Sequence, residues 1–151
     1  MRLEHGIAAA TLVAAVACAH PSSQSASREA VVAAPGESHL AGVRQLTHGG
    51  ANADAYFSSS GKQLIFQSTR DGRSCDQQFI MNIDGSGVHR VSTGKGKTTC
   101  GYFFAYDKKI FFASTHAADT ACPPRPDPSK GYVWGLDPFD IYTADADGSH
   151  L

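Results

Sequence analysis

Cys75, Cys100 and Cys122 are the residues whose type most directly invites chemistry, because three thiols can close a disulfide or hold a soft metal. No Cys-x-x-Cys pair occurs, so one disulfide plus one free thiol is expected, with the three pairings left equal. His48, His89 and His116 share no spacing that forms a metal pair and read as exposed or hydrogen-bonded polar residues. Gly96-Lys97-Thr98 has the ending of a phosphate-binding loop. That loop needs a glycine where this chain has Val91, and a helix where Cys100-Gly101-Tyr102-Phe103 reads as a strand. Asn82-Ile83-Asp84-Gly85-Ser86 and Asp145-Ala146-Asp147-Gly148-Ser149 look like pieces of a calcium loop, but the first has Thr93 where the bidentate glutamate belongs. They read as tight hairpin turns, in which Asp-Gly supplies the positive φ angles. No Gly-x-Ser-x-Gly elbow and no His-Glu-x-x-His helix is present, so no catalytic or metal-ligating set and no cofactor is expected.

Within the second half of the chain, the segment from Cys122 to Pro138 has no counterpart elsewhere and holds Pro123, Pro124, Pro126 and Pro128 close together. Prolines stiffen it. A stiff loop presenting Arg125, Tyr132 and Trp134 suits partner binding, since aromatics and arginine dominate interface hot spots and a rigid loop loses little entropy on binding. The alternative is that Tyr132 and Trp134 fold back as a small local core.

The elements that position these residues come from an internal repeat. Gly42-Val43-Arg44-Gln45-Leu46-Thr47 returns as Gly87-Val88-His89-Arg90-Val91-Ser92, about 45 residues on, the period of a four-stranded repeat unit. Ala55-Tyr56-Phe57 returns as Gly101-Tyr102-Phe103. The stretch from Gly61 to Arg70 is answered by Asp107 to His116, sharing a lysine, an apolar trio and a Ser-Thr pair. The stretch from Phe79 to Ser86 is answered by Tyr142 to Ser149, after an insertion at about 117–138. Runs of Ile, Phe, Tyr and Val bounded by Ser58-Ser59-Ser60-Gly61, Asp71-Gly72 and Asp84-Gly85 predict four short strands per unit. Leu64-Ile65-Phe66 and Ile110-Phe111-Phe112 lack polar alternation, which predicts strands covered on both faces.

A Leu-Thr strand end, a Gly-Lys turn, an apolar strand ending Ser68-Thr69-Arg70-Asp71-Gly72 and a strand running into Asn82-Ile83-Asp84-Gly85-Ser86 together resemble the PD40 (WD40-like) repeat of TolB-like propellers. The likeness covers Val43 to Leu151. The family's Pro-Asp turn is replaced by Ser59-Ser60 in the first unit and by Ala105-Tyr106 in the second. The resemblance implies an all-β chain, a β-propeller of four-stranded antiparallel blades with about two blades present. The expected layout is an edge strand at 42–47, blade one at about 53–92 and a partial blade two at about 100–151. Because 42–47 matches the fourth strand of a unit, the ring is expected to be incomplete, a piece of a larger propeller with open edges. Such propellers bind protein partners on one face or at the channel mouth, with a peptide or carbohydrate ligand as a second class. The alternative the resemblance allows is the gating propeller of a longer S9 prolyl-oligopeptidase-like hydrolase, with a catalytic domain downstream.

Ahead of the repeats, Arg2 and the apolar run from Gly6 to Ala17 read as an export signal too short to span a membrane. Ala15-Val16-Ala17-Cys18 resembles a bacterial lipobox, which makes 1–18 a lipoprotein signal peptide and Cys18 the lipid attachment site. An ordinary signal cut near Ala17 or Ala19 is the alternative. Residues 19–41 are rich in Ala, Ser, Pro and Gly without an apolar period and read as a flexible tether. The resulting expectation is an exported, periplasmic protein, held to the outer membrane by its lipid anchor alone, with a protein partner in the cell envelope. With 13 basic and 14 acidic residues the chain has no cationic excess, and no nucleic-acid partner is expected.

Overall fold

The computed structural model describes residues 34–131 and 135–151. The signal segment with Cys18, most of the tether, and Tyr132 and Trp134 lie outside the described residues. Residues 34–42 are exposed and carry only turns and bends.

Two antiparallel sheets make up the chain. The first runs in the order β1 (Asn52–Phe57), β2 (Gln63–Ser68), β3 (Gln77–Asn82) and β4 (His89–Arg90). The second has β5 (Thr98–Phe104), β6 (Lys109–Ser114) and β7 (Asp140–Asp145). Short β-branched and aromatic runs favour the extended backbone, and the intervening Gly, Asp and Ser favour the turns. Among the described residues the one helical element is a single 3-10 turn, Pro128–Lys130. Pro128 presets its φ, and Asp127 caps it by accepting the Ser129 N–H at 2.9 Å.

The repeat holds at atomic detail. Thr69 N–H donates to Ala51 O and Ala51 N–H to the Thr69 hydroxyl, while Thr115 and Lys97 exchange the same two bonds. Both first strands bulge at matching places, Asp54 and Cys100, each at a positive φ (48° and 54°) that a non-glycine residue rarely adopts. The two Asp-Gly-Ser turns share one bonding pattern: Asn82 N–H to Ser86 O and Asp145 N–H to Ser149 O, both 2.8 Å. In each turn the serine hydroxyl donates to the aspartate at 2.6 Å.

Packing shows how the units relate. The main core joins Ile65, Ile80 and Val91 of the first unit to Ile110, Phe112 and Ala144 of the second, with Tyr142 alongside. On the far face of the first sheet, Leu64, Phe66, Phe79 and Met81 form a second cluster against which Leu46 packs. These four stand at the repeat positions of Ile110, Phe112, Tyr142 and Ala144. Leu46 stands at the position of Val91. Glycine packing repeats the relation, because a Cβ on Gly85 would lie 3.4 Å from Leu46 O and one on Gly148 would lie 2.9 Å from Val91 O. Leu46 therefore meets the first sheet much as Val91 meets the second.

Two features depart from the sequence-based expectation. Residues 42–47 form no ladder strand, and Arg44 alone makes a bridge. A fourth strand needs a third to pair with, and none precedes it among the described residues. Phe111 was expected to be covered on its own face and is 36% exposed, because the described residues place no third sheet there.

Candidate binding site at the stapled loops

One end of the two sheets gathers the connection from β2 to β3, the loop from β4 to β5 and the long connection from β6 to β7. Asp71 and Gly72, both at positive φ, reverse the chain so that Arg73, Ser74 and Cys75 face the neighbouring unit. Cys75 is joined to Cys122 by a disulfide across a sequence separation of 47, with Cα atoms 5.7 Å apart. The long insertion of the second unit is thereby fastened to the first unit. Cys100 is a free, exposed thiol on the β5 bulge.

Gln77 pins the middle loop. Its Oε1 accepts from the Ser92 hydroxyl at 2.7 Å and Gly94 N–H at 3.0 Å, and its Nε2 donates to Gly96 O at 2.7 Å. All three bonds are buried or part-buried, so the amide replaces water for a loop that lacks a ladder partner. Gly96 then donates its N–H to Thr120 O at 2.8 Å, which ties the insertion to that loop. A side chain at Gly96 would place Cβ 2.6 Å from the Thr115 hydroxyl, so the close approach requires glycine.

These loops enclose an open cleft of about 220 Å³, walled by the disulfide and lined by Arg73, Ser74, Gln77, Gly94 and Thr120 among others. Ser74 donates its hydroxyl to Cys122 Sγ at 3.0 Å. Arg73 donates Nη1–H to Gly94 O, while its buried Nε has no hydrogen-bond partner. Beside the cleft, Lys97 pairs with Asp137 of the insertion at 3.2 Å and lies 5.8 Å from the Phe139 ring centre. Burial raises the Asp76 carboxyl above its ordinary range; Lys97 pulls it down, Asp54 pushes it up and Arg125 opposes the rise.

Of the residues singled out in the sequence, the structure brings Cys75 and Cys122 together and leaves Cys100 apart. Arg125 is exposed on the insertion, near enough to act on Asp76. Sequence reasoning missed Arg73 and Gln77, because a turn arginine and a strand glutamine carry no motif. It also missed a Ser-His contact: Ser114 Oγ lies 2.8 Å from His116 Nδ1. That pair is structural. Ser114 is buried, and the matching Ser68 bonds Arg70 in the first unit. Arg70 also sits 5.3 Å from the Phe79 ring centre, where His116 sits 4.2 Å from that of Tyr142. The two Asp-Gly-Ser turns satisfy their aspartates with their own serines, so the calcium-like spacing serves the hairpins. Among the described residues no group of three His, Cys, Asp or Glu converges to hold a metal ion, and no helix is long and apolar enough to cross a membrane.

Comparison with protein families, with curated proteins and with solved structures found no match.

Proposed function

We propose that the chain is part of a lipid-anchored TolB-like β-propeller that serves in the cell envelope as a protein-binding scaffold, without catalysis of its own. The observation that carries this reading is the translational relation between the units. The Ile65 face of the first sheet docks on the Ile110 and Phe112 face of the second, and Leu46 meets the first sheet as Val91 meets the second. Units that join unlike faces in this way keep adding until the rotation closes a ring. The stapled loops supply a rigid edge on which a partner can dock, with Arg125 exposed upon it.

Three experiments test the reading. Extending the gene product beyond Leu151 is expected to give further units of the same repeat; a Gly-x-Ser-x-Gly elbow there replaces the scaffold by the gating domain of a hydrolase. In cells carrying that full gene, a photo-crosslinking residue at the position of Arg125 is expected to trap one envelope protein reproducibly. Uniform background labelling overturns the scaffold. Palmitate labelling lost in Cys18→Ser is the expected sign of the anchor, and an unlabelled wild type removes it.

A further inference from the structure

We infer that the cleft beside the disulfide is a receptor for a single carboxylate group. Arg73 is the only charged side chain lining it, and among the described residues it forms no ion pair. A guanidinium offers five N–H donors, and here one hydrogen bond, Nη1–H to Gly94 O, is made. The head is held in place: a Cβ on Gly94, whose φ is 79°, would lie 2.8 Å from Nη2, so the glycine loop leaves room for the guanidinium and for nothing larger. The carbonyl of Gly94 and the loop bonds of Gln77 fix the arginine before any ligand arrives, which lowers the entropy lost on binding.

The lining selects the ligand. Gln77 has its acceptor and donor engaged by the loop, and no carboxylate lines the cleft to repel an anion. One cation balances one negative charge. A phosphate dianion would be left half-compensated, because Arg73 is the one charged side chain on the lining. A planar carboxylate matches the arginine fork, and Thr120, which also lines the cleft, carries a hydroxyl suited to its second oxygen or the adjoining peptide. About 220 Å³ admits a carboxylate with a small residue behind it. The group is a chain-terminal carboxylate or an Asp or Glu side chain of a partner peptide. This inference rests on the scaffold reading only for the source of that group.

The test titrates the disulfide-bonded chain with acetyl-Gly-Ser bearing a free carboxylate, acetyl-aspartate methylamide, and acetyl-Gly-Ser amide, reading the backbone amide signals of residues 72–77 and 94–96. Saturable shifts with either carboxylate, and none with the amide, are expected; which carboxylate binds more tightly identifies its source. Arg73→Gln is expected to weaken binding about tenfold, the loss of a charge-assisted hydrogen bond. Should that variant not fold, the wild-type preference for carboxylate over amide decides alone. Equal binding of the amide, no saturation with any probe, or displacement of the peptide by a lower concentration of inorganic phosphate overturns the inference. Carboxylate binding with no protein trapped at position 125 tells against the scaffold and leaves the cleft standing.

Discussion

Ile65 and Phe111 hold the same place in the repeat, yet Ile65 is 0% exposed and Phe111 is 36% exposed. The rest of the two sheets differs in the same sense. β2 and β3 of the first sheet are buried on both faces, between the second sheet on one side and Leu46 on the other. The second sheet buries the face bearing Ile110, Phe112 and Ala144 and shows Phe104, Phe111 and Ile141 on its far side. Among the described residues β7 pairs with β6 alone, where β3 has β4 on its outer side as well as β2. An apolar strand pattern thus records a demand for cover, and a neighbouring unit must meet that demand.

The largest contrast is expected within β6 itself. Phe112→Ala removes a ring from the joint core and should destabilise by about 3–5 kcal/mol. Phe111→Ala, one residue away, should cost about 1 kcal/mol, since its ring already meets solvent. Urea denaturation of both variants checks this. In a longer chain that supplies a third unit, the cost of Phe111→Ala should rise to that of Ile65→Ala; an unchanged small cost there would mean that no unit of this repeat docks on the face.

Next comes the disulfide, which links the two sheets through their loops rather than their cores. For a loop of 47 residues the chain-entropy relation gives about 4 kcal/mol, and strain or residual denatured structure usually lowers it to roughly 2–4 kcal/mol. Cys75→Ser/Cys122→Ser should lower the denaturation midpoint accordingly. Cys100→Ser, exposed on its bulge, should leave it unchanged. A midpoint that falls with Cys100→Ser instead would mean that the thiols pair differently.

Strand positions, the two Asp-Gly-Ser turns and the period were legible because each depends on local residue type: apolar runs for β2 and β6, Asp-Gly for positive φ. The pairing of Cys75 with Cys122 was not, since it depends on how the insertion folds back over the first unit. Nor were the bulges at Asp54 and Cys100, where the positive φ falls on a residue that is neither glycine nor asparagine. Arg73 was invisible for a related reason: its place under Gly94 comes from a loop two strands further along the chain.

Smaller again is the effect expected at the bulges. A Cβ on Gly101 would lie 2.3 Å from Gln78 Oε1 and 3.0 Å from Ile65 Cδ1, across the joint between the sheets. Gln78 is fully buried with neither amide atom bonded, so it has little room to yield. Gly101→Ala should cost about 1–3 kcal/mol. The matching residue of the first sheet, Ala55, is exposed, and Ala55→Gly should cost under about 1 kcal/mol. Equal losses in thermal melts of the two variants would show that the bulge backbone, and not the approach of the sheets, sets the requirement for glycine.

The smallest effect separates the two β-turns before β2 and β6. Asp107 in the second accepts from Ser59 N–H at 2.6 Å, the Ser59 hydroxyl at 2.7 Å and Ser60 N–H at 2.9 Å, and so ties the second turn to the first. Those bonds, the Ser59 hydroxyl foremost, hold its carboxyl down at about 2. An unfolded aspartate titrates near about 3.9. With the folded value below the unfolded one, the charged form stabilises the fold above about pH 4, and that contribution disappears as the pH falls toward about 2. Gly61 at the equivalent position has no carboxylate to contribute. Asp107→Asn should therefore be less stable than wild type at pH 6 and match it near pH 2. Parallel stability curves for wild type and Asp107→Asn across that range would mean that the charge of Asp107 does not hold the two turns together.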